Sequence, residues 1–382
     1  MDVSILRWVR NTASALLAFG AVAAHAQNVN GINVTLTSES ANLSGNDDVS
    51  INVAISNAGT TPVFVPKWYV PSRAATSGVF TVTRNGEPVP YLGALVKRKA
   101  FGAADFVRIA AGGRLEFKVE LSALYDLSAT GVYNIQYDVK SVQTLRARAL
   151  DSATTDRQAA AAQAEPQSQD LVSNTIALTI AGDANVEAQR AAADAALRAS
   201  EAATPYFAAS VSFIGCSNTR TTQIRTALTT AEGYASNSSS YLNAGNRGPR
   251  YTTWFGTYNS NRYSTVRRNF ANISNAASTK PITFDCSTCP GSDYADAYAY
   301  VYSNQPYRIY LCNSFWAAPN GGTDSRAGTI IHELSHFSVV AGTNDYVYGQ
   351  TGARNLARTN PSRAVRNADN HEYFAENTPF QN

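Results

Sequence analysis

The sequence predicts an α+β protein, with an antiparallel β-sandwich in its N-terminal half and a mainly helical C-terminal half that includes a small β-hairpin. Two observations predict this class. Short runs that alternate apolar and polar residues fill the first half, and turn signals such as Asn85-Gly86 separate them. Longer runs with helical periodicity occur only after about residue 212. A chain of 382 residues can bury two cores of ordinary size, so we expect two domains.

The first 26 residues have the pattern of a secretory signal peptide. Arg7 and Arg10 precede an apolar run over 13–24, and Ala24-His25-Ala26 matches the A-x-A cleavage pattern. The apolar run is too short to span a bilayer, so we expect a secreted, extracellular protein with no membrane partner. The net charge of +3, without a basic cluster interleaved with aromatic residues, sets nucleic acid aside as a partner.

Residues 27–181 are predicted to form the β-sandwich. Its strands are expected where the alternating runs lie, at 32–36, 49–53, 79–82, 115–119, 132–139 and 171–180. The stretch 146–170, rich in Ala, Gln and Ser, is predicted to be a flexible excursion before the last strand. Residues 182–211 are Ala-rich with no strong apolar stripe, which predicts an exposed helical linker that contains a processing region.

Residues 212–382 are predicted to form the second domain. Helical patterns cover 219–242 and 261–275. A hairpin follows, in which Tyr298, Tyr300 and Tyr302 alternate before a second strand at 307–311. Tyrosines in such a stripe usually pack against neighbouring side chains. A strand that precedes the H-E-x-x-H segment can also bind an extended peptide by edge pairing.

The four cysteines all lie in this second domain. They are Cys216, Cys286, Cys289 and Cys312. An even number in an exported protein predicts two disulfides, and the sequence alone allows three pairings. The C-x-x-C spacing of the middle two also fits half of a zinc knuckle or a redox pair. However, no second pair with the required spacing and no thioredoxin-like pattern accompanies it.

Residues 332–336 form an H-E-x-x-H motif in a chain that has only four histidines. On a helix, His332 and His336 lie one turn apart on the same face and can offer two imidazole nitrogens to one Zn²⁺. Such an ion lowers the pKa of a water molecule towards neutrality, and Glu333 is placed to take its proton as the water attacks a peptide carbonyl. The motif predicts a peptidase with one zinc ion per catalytic domain.

A catalytic zinc needs a third protein ligand and one open position. Gly342 occupies the position at which a metzincin has its third histidine, which excludes that class. Two sources of the ligand remain. One is Asp345, within the Gly-Thr-Asn-Asp-Tyr-Val-Tyr-Gly segment at 342–349. The other is the acidic cluster at 369–376, which resembles a thermolysin-like glutamate on a later helix.

The combination of H-E-x-x-H with a following G-T-x-D-x-x-Y-G resembles the aspzincins, the family of deuterolysin and the peptidyl-Lys metalloendopeptidases. The resemblance implies a zincin-like catalytic domain in which Asp345 is the third ligand beside His332 and His336. It also implies Glu333 as the general base and Tyr348 as the phenol that stabilises the oxyanion of the transition state. A core tyrosine in a glycine-bounded turn is the alternative for Tyr348.

The resemblance is closer to the peptidyl-Lys branch and covers roughly 212–382. In that branch acidic side chains bind the lysine ammonium just after the scissile bond, which by position implies Asp369 and Glu372. Two carboxylates in one pocket favour a long cationic side chain. The alternative is structural, with Asp369 as a helix N-cap and Glu372 as its capping-box partner. The resemblance also implies two disulfides, Cys216–Cys286 and Cys289–Cys312.

We therefore expect a secreted zinc metalloendopeptidase that hydrolyses peptide bonds in proteins on the N-terminal side of lysine. One alternative is a deuterolysin-like endopeptidase of broader specificity. Another is a non-enzymatic exported binding protein whose structural zinc site recruits His371, the only other histidine after the signal peptide.

Residues 27–211 contain no catalytic constellation, no cysteine and no histidine. We expect them to act as a propeptide that inhibits the peptidase intramolecularly. A thiolate or imidazole on the metal is excluded, so the block must be steric or must use a carboxylate or a basic side chain, such as those of Lys97-Arg98-Lys99. No lysine lies between Lys140 and Lys280. A lysine-directed enzyme therefore needs another protease or relaxed specificity for trimming near 203–212.

Overall fold

The computed structural model describes residues 31–45, 47–71, 78–99, 105–146, 165–203 and 210–382. The predicted signal peptide, most of the predicted excursion and the centre of the predicted processing region lie outside these ranges. The described chain has a strand-rich N-terminal region and a helical C-terminal region with a second sheet, which confirms the α+β class. Among the described residues, no helix has the length and apolar character that a bilayer crossing needs.

The N-terminal region, residues 31–181, contains eleven described strands. They are β1 (Ile32–Ser38), β2 (Asn42–Ser44), β3 (Ser50–Asn57), β4 (Val63–Pro66), β5 (Phe80–Arg84), β6 (Glu87–Pro88), β7 (Ala94–Lys97), β8 (Phe106–Ile109), β9 (Arg114–Glu120), β10 (Gly131–Arg146) and β11 (Glu165–Ala181). Ten of them form one hydrogen-bonded system, with the order β6-β5-β10-β11-β1-β3-β9 and with β2, β4 and β8 as branches. In β1, Ile32, Val34 and Leu36 are buried on one face, as the period of two requires.

The pairing in this sheet system is mostly antiparallel, but two pairs are parallel. Strands β1 and β2 each pair with β11 in a parallel orientation. The prediction of a wholly antiparallel sandwich is wrong on this point. Alternating burial is the same in strands of either direction, so the sequence pattern located the strands without fixing how they run.

Nine α-helices are described. They are α1 (Ala184–Ala203), α2 (Asn218–Asn243), α3 (Pro249–Phe255), α4 (Ser260–Thr279), α5 (Asn313–Ala317), α6 (Arg326–His336), α7 (Gly349–Thr359), α8 (Pro361–Ala364) and α9 (Ala368–Glu376). Helix α1 has mostly exposed side chains where these are described. Helices α2, α4, α6 and α9 pack against one another and form the core of the C-terminal region. Helices α2 and α4 confirm the two helical patterns of the sequence.

The second sheet lies in the C-terminal region. Its own strands are β12 (Ser212–Ile214), β13 (Thr283–Asp285), β14 (Ala299–Tyr302) and β15 (Arg308–Leu311). The order is β12-β13-β15-β14-β7, and β14 and β15 form the predicted antiparallel hairpin. The fifth strand, β7, comes from the N-terminal region and pairs antiparallel with β14. The sequence pattern gave no indication of this strand, which joins the two regions.

Two disulfides cross-link the C-terminal region. Cys216–Cys286 connects the ends of β12 and β13, and Cys289–Cys312 connects the next loop to the end of β15. This is the pairing that the resemblance implies, and the described chain has no free cysteine. The zinc-knuckle and redox alternatives are therefore wrong. By restricting the unfolded chain, each cross-link typically contributes about 2–4 kcal/mol to stability.

Candidate active site

Helix α6 carries the H-E-x-x-H motif. The hydroxyl of Ser325 caps its N-terminus by accepting a hydrogen bond from the Gly328 amide at 2.9 Å. A Cβ at Gly328 would lie 2.1 Å from Oε1 of Glu376, so only glycine lets α9 approach this closely. The side chains of His332 and Glu333 are consequently buried between packed helices.

Asp345 is held close to α6 by the chain around it. The backbone of Asn344 forms a parallel bridge with Asn367 at the start of α9. The side-chain carbonyl of Asn367 accepts hydrogen bonds from the amides of Tyr346 and Val347, at 2.8 and 3.2 Å. Local hydrogen bonds therefore fix the carboxylate of Asp345, although it lies outside regular secondary structure.

His332, His336 and Asp345 form a compact group, which we call the metal group. Oδ1 of Asp345 lies 3.1 Å from Nε2 of His332 and 3.4 Å from Nε2 of His336. Ligands at zinc's usual bond lengths in a tetrahedron are about 3.3 Å apart. Both Nε2 atoms and both oxygens of Asp345 are buried, with no hydrogen-bond partner among the described residues. Two nitrogens and a carboxylate with these spacings fit a zinc ion.

The other ring nitrogen of each histidine faces an acceptor. Nδ1 of His336 donates to the carbonyl of Thr343 at 2.9 Å, which leaves Nε2 with its lone pair. Nδ1 of His332 lies 2.9 Å from Oδ1 of Asp369 and 3.3 Å from Oε2 of Glu372. Both rings are thus oriented with Nε2 towards Asp345, as metal ligation requires.

Two carboxyl groups of the site, those of Asp345 and Glu333, have pKa values shifted by their surroundings in the metal-free protein. Burial alone would raise the pKa of Asp345, but His336 and His332 hold it well below its usual range, so the carboxylate is ionised. Glu333 is fully buried, and neither of its carboxylate oxygens has a hydrogen-bond partner among the described residues. In the protein alone, burial raises the pKa of Glu333 well above its ordinary value. A carboxylate with a raised proton affinity suits proton transfer.

Tyr348 lies three residues after Asp345 and immediately before α7. It is buried, with 6% of its surface exposed. The amide of the next residue, Gly349, donates to Oδ2 of Asp369 at 2.6 Å. The backbone at Tyr348 is thus tied to the acidic residues of α9, and the role of its phenol stays a prediction.

The predicted lysine-binding residues Asp369 and Glu372 face a buried ammonium. Nζ of Lys97 lies 2.5 Å from Oε2 of Glu372, 3.9 Å from Oδ1 of Asp369 and 3.8 Å from Oδ1 of Asp324. It also lies 4.9 Å from the ring centre of Tyr298. We call Asp324, Asp369, Glu372 and Tyr298 the acidic pocket. The N-cap residue of α9 is Asn367, so the capping alternative for Asp369 and Glu372 is wrong.

His371 does not reach the metal group. Its Nδ1 donates to the carbonyl of Asn367 at 3.0 Å, and its Nε2 lies 3.1 Å from Nδ2 of Asn269. Both ring nitrogens are therefore engaged in the core, and the prediction of His371 as a fourth ligand is wrong. Sequence reasoning missed Asp324 and Tyr298 because nothing local distinguishes them from a turn residue and a packing tyrosine.

Comparison with known proteins shows the family to which this chain belongs. The profile of the aspzincin family, described as lysine-specific metallo-endopeptidase, matches residues 240–376. An extracellular protease of Aeromonas hydrophila is 46% identical over 338 residues, which cover 88% of this chain and 90% of that protein. This chain belongs to the aspzincin metallopeptidase family. This aspzincin is a metal-dependent endopeptidase whose substrates are proteins or peptides. The alternative of a non-enzymatic exported binding protein is therefore wrong.

Further relatives lie in the peptidyl-Lys branch of the aspzincins. The peptidyl-Lys metalloendopeptidase of Pleurotus ostreatus is 52% identical over 168 residues, which cover 44% of this chain and 97% of that protein. A solved structure, the zinc peptidase from Grifola frondosa, is 47% identical and covers 44% of this chain and 100% of its own, with a TM-score of 0.41. The sequence relatives confirm the prediction that this aspzincin is near the peptidyl-Lys branch.

Proposed function

We propose that this aspzincin is a secreted zinc endopeptidase that hydrolyses peptide bonds on the N-terminal side of lysine. The observation that carries the proposal is that two buried sites share one imidazole. Nε2 of His332 faces Asp345 in the metal group, whereas Nδ1 faces Asp369 in the acidic pocket. A lysine side chain in the pocket therefore brings its own peptide bond close to the metal group.

In this proposal His332, His336 and Asp345 hold one zinc ion, and the fourth position stays open. The ion, when bound, supplies Lewis-acid polarisation of the substrate carbonyl and lowers the pKa of water. Glu333 accepts the proton of the attacking water and delivers it to the leaving amine. Its burial supports this role, because a dry carboxylate holds a proton more readily than one in water.

Tyr348 is proposed to donate a hydrogen bond from its phenol to the oxyanion that forms as water attacks. Such a bond stabilises charge that is absent from the substrate, so its effect falls on kcat. The support is its place in the same short segment as Asp345, together with the anchoring of that segment to α9.

The acidic pocket is proposed to select lysine. Its carboxylates already hold one fully buried lysine ammonium, that of Lys97. Burial alone lowers the pKa of Lys97, but Glu372, Asp369 and Asp324 raise it well above the ordinary value, so the side chain is charged. A pocket that pairs a buried ammonium with several carboxylates favours a substrate lysine over neutral side chains.

We propose the domain boundaries that the sequence predicts. Residues 1–26 are a signal peptide, 27–181 a propeptide, 182–211 a linker with the processing region, and 212–382 the catalytic domain. The secreted location is supported by the name of the Aeromonas relative, an extracellular protease. The inhibitory role of the N-terminal region is supported by its contact with the acidic pocket through Lys97.

Sequencing the new N-termini that the enzyme produces in a reduced, unfolded protein tests this function. We expect lysine as the first residue of nearly every product, and we expect no products from Glu333→Gln or after treatment with a chelator. Products that begin with many residue types would support the deuterolysin-like alternative of broader specificity. Cleavage that persists in the chelator would contradict the zinc mechanism.

A further inference from the structure

Strand β7 belongs by sequence to the N-terminal region but by hydrogen bonding to the C-terminal sheet. Its residues pair antiparallel with β14, with Ala299 opposite Lys97 and Tyr302 opposite Ala94. Strand β14 is otherwise the edge of that sheet. An extended segment added to a sheet edge is a common mode of peptide recognition, with main-chain bonds for affinity and side-chain pockets for specificity.

The two faces of β7 have different surroundings. Ala94 and Val96 pack in one apolar cluster with Tyr300 and Tyr310. Alternate residues of a strand point to opposite faces, so Lys97 lies on the other face. Strand β7 also contacts helix α6, which carries the H-E-x-x-H motif. The strand is therefore oriented with its lysine towards the catalytic residues.

The side chain of Lys97 is fully buried in the acidic pocket. Oε2 of Glu372, at 2.5 Å, is its nearest carboxylate oxygen. A buried lysine is costly unless it is paired, and an ordinary structural ion pair needs only one carboxylate. Three carboxylates and the face of an aromatic ring surround this ammonium. That is the environment of a cation-binding site with its ligand bound.

Other contacts keep the N-terminal region over the metal group. The phenol of Tyr69 donates to the carbonyl of Tyr346 at 3.4 Å, next to Asp345 in the chain. Tyr69 and Gly78 line one small cavity together with Asp345. Asp138 of β10 pairs with Arg363 of α8. These contacts, together with the pairing of β7 with β14, hold the N-terminal region against the residues around the metal group.

We propose that β7 is a built-in pseudo-substrate, which occupies the substrate cleft as a strand on β14 and fills the lysine pocket with Lys97. Peptide substrates then pair with β14 in the same direction once the N-terminal region has left. The lysine pocket of the free enzyme includes Asp324 and Tyr298 in addition to Asp369 and Glu372. This proposal rests on the proposed function and adds the ligand that keeps the full-length chain inactive.

Acylation of lysines in the full-length, zinc-loaded Glu333→Gln chain tests occupancy, because this variant stays intact. Mass spectrometry then gives the labelling rate of each lysine. We expect Lys97 to react at least about tenfold more slowly than the exposed Lys99 and Lys118 in the native chain, and at a similar rate in urea. Labelling of Lys97 at the rate of Lys118 in the native chain would overturn the proposal.

Activity of the full-length chain with Glu333 intact tests latency. We expect Lys97→Met to raise the initial rate on a lysine peptide by about tenfold or more, because the pocket is vacated. Lys118→Met, which changes an exposed lysine paired with Glu39, is the control and should leave the rate unchanged. A folded Lys97→Met chain no more active than the native chain would also overturn the proposal. The labelling result does not depend on cleavage specificity, so a failure of the proposed function would be seen separately.

Discussion

Nζ of Lys97 and Oε2 of Glu372 lie 2.5 Å apart, although 275 residues separate them in the chain. One residue ends a strand of the N-terminal region, and the other lies in the middle of α9. This ion pair joins β7 to the residues proposed to select the substrate.

Replacing Glu372 with glutamine should weaken recognition of lysine. The change keeps the size of the side chain but removes the carboxylate nearest to the ammonium. A charge-assisted hydrogen bond in a buried site contributes about 2 kcal/mol, so we expect kcat/KM for a lysine peptide to fall about thirtyfold, mainly through KM. Steady-state kinetics on the trimmed enzyme measures this. Glu232→Gln on α2 is the matched control, and an equal loss in that variant would contradict the assignment.

Asp324→Asn should have a smaller effect in the same assay. Its side chain is 41% exposed and lies 3.8 Å from the ammonium, so solvent screens its charge. Asparagine retains the oxygen that accepts a hydrogen bond from the phenol of Tyr373 at 2.6 Å, so the fold should be kept. We expect a loss of about fivefold in kcat/KM that disappears at high salt. A loss that does not respond to salt would argue against a charge effect.

Asp345→Asn should abolish metal binding under ordinary conditions. The amide cannot replace the anionic ligand, and the two histidines alone hold zinc weakly. We expect metal analysis to find about one zinc per wild-type chain and less than about 0.1 in the variant, with activity reduced about a thousandfold. Asp293→Asn, at an exposed position in the same region, should bind zinc normally. Full zinc occupancy in Asp345→Asn would require another third ligand.

The buried His371 should make the fold sensitive to acid. Burial lowers its pKa to about 4, whereas an exposed histidine titrates near 6.5. Between these two pKa values the unfolded chain binds a proton at His371 and the folded chain does not. The stabilising contribution of the neutral histidine is therefore fully present above about pH 6.5 and is lost as the pH falls towards 4. The loss amounts to about 3 kcal/mol. Urea unfolding at pH 7.5 and pH 5 should show a smaller loss in His371→Gln than in the wild type. An identical loss in both would contradict this account.

Trimming near 203–212 should not require the enzyme's own activity. No lysine lies between Lys140 and Lys280, so a lysine-directed peptidase has no site there. We expect Glu333→Ala, secreted by the native host, to have the same mature N-terminus as the wild type in mass spectrometry. Accumulation of the full-length Glu333→Ala chain would instead show that the enzyme trims itself through relaxed specificity.

The sequence predicted the parts of this molecule that local patterns encode. Alternating runs located β1, β3, β5, β9, β10 and β11, because each has one face in a core. In β7 all four residues are buried, so the strand shows no alternation. Its burial comes from the C-terminal region, which local periodicity cannot reveal. The sequence names Lys97-Arg98-Lys99 as a candidate for the block, and this role stays a prediction; only tertiary contacts distinguish the buried Lys97 from the exposed Lys99.

In the candidate site, too, local sequence patterns indicate some residues, whereas others depend on tertiary packing. The spacing within α6 brings His332, Glu333 and His336 together on one turn, so the motif alone indicated them. For the third ligand, residue patterns alone leave Asp345 and the cluster at 369–376 as alternatives, and only the aspzincin resemblance favours Asp345. In the structure the cluster faces Nδ1 of His332 and not Nε2, a distinction that depends on how α9 packs against α6.

The pairing of β7 with β14 also bears on solubility. A strand at the edge of a sheet presents unpaired amides and carbonyls, which readily pair with another chain and lead to aggregation. While β7 is in place, the edge of β14 is paired along Ala299–Tyr302. Loss of the N-terminal region exposes that edge beside a row of tyrosines. By pairing with β14, β7 therefore also protects the full-length chain against edge-to-edge self-association.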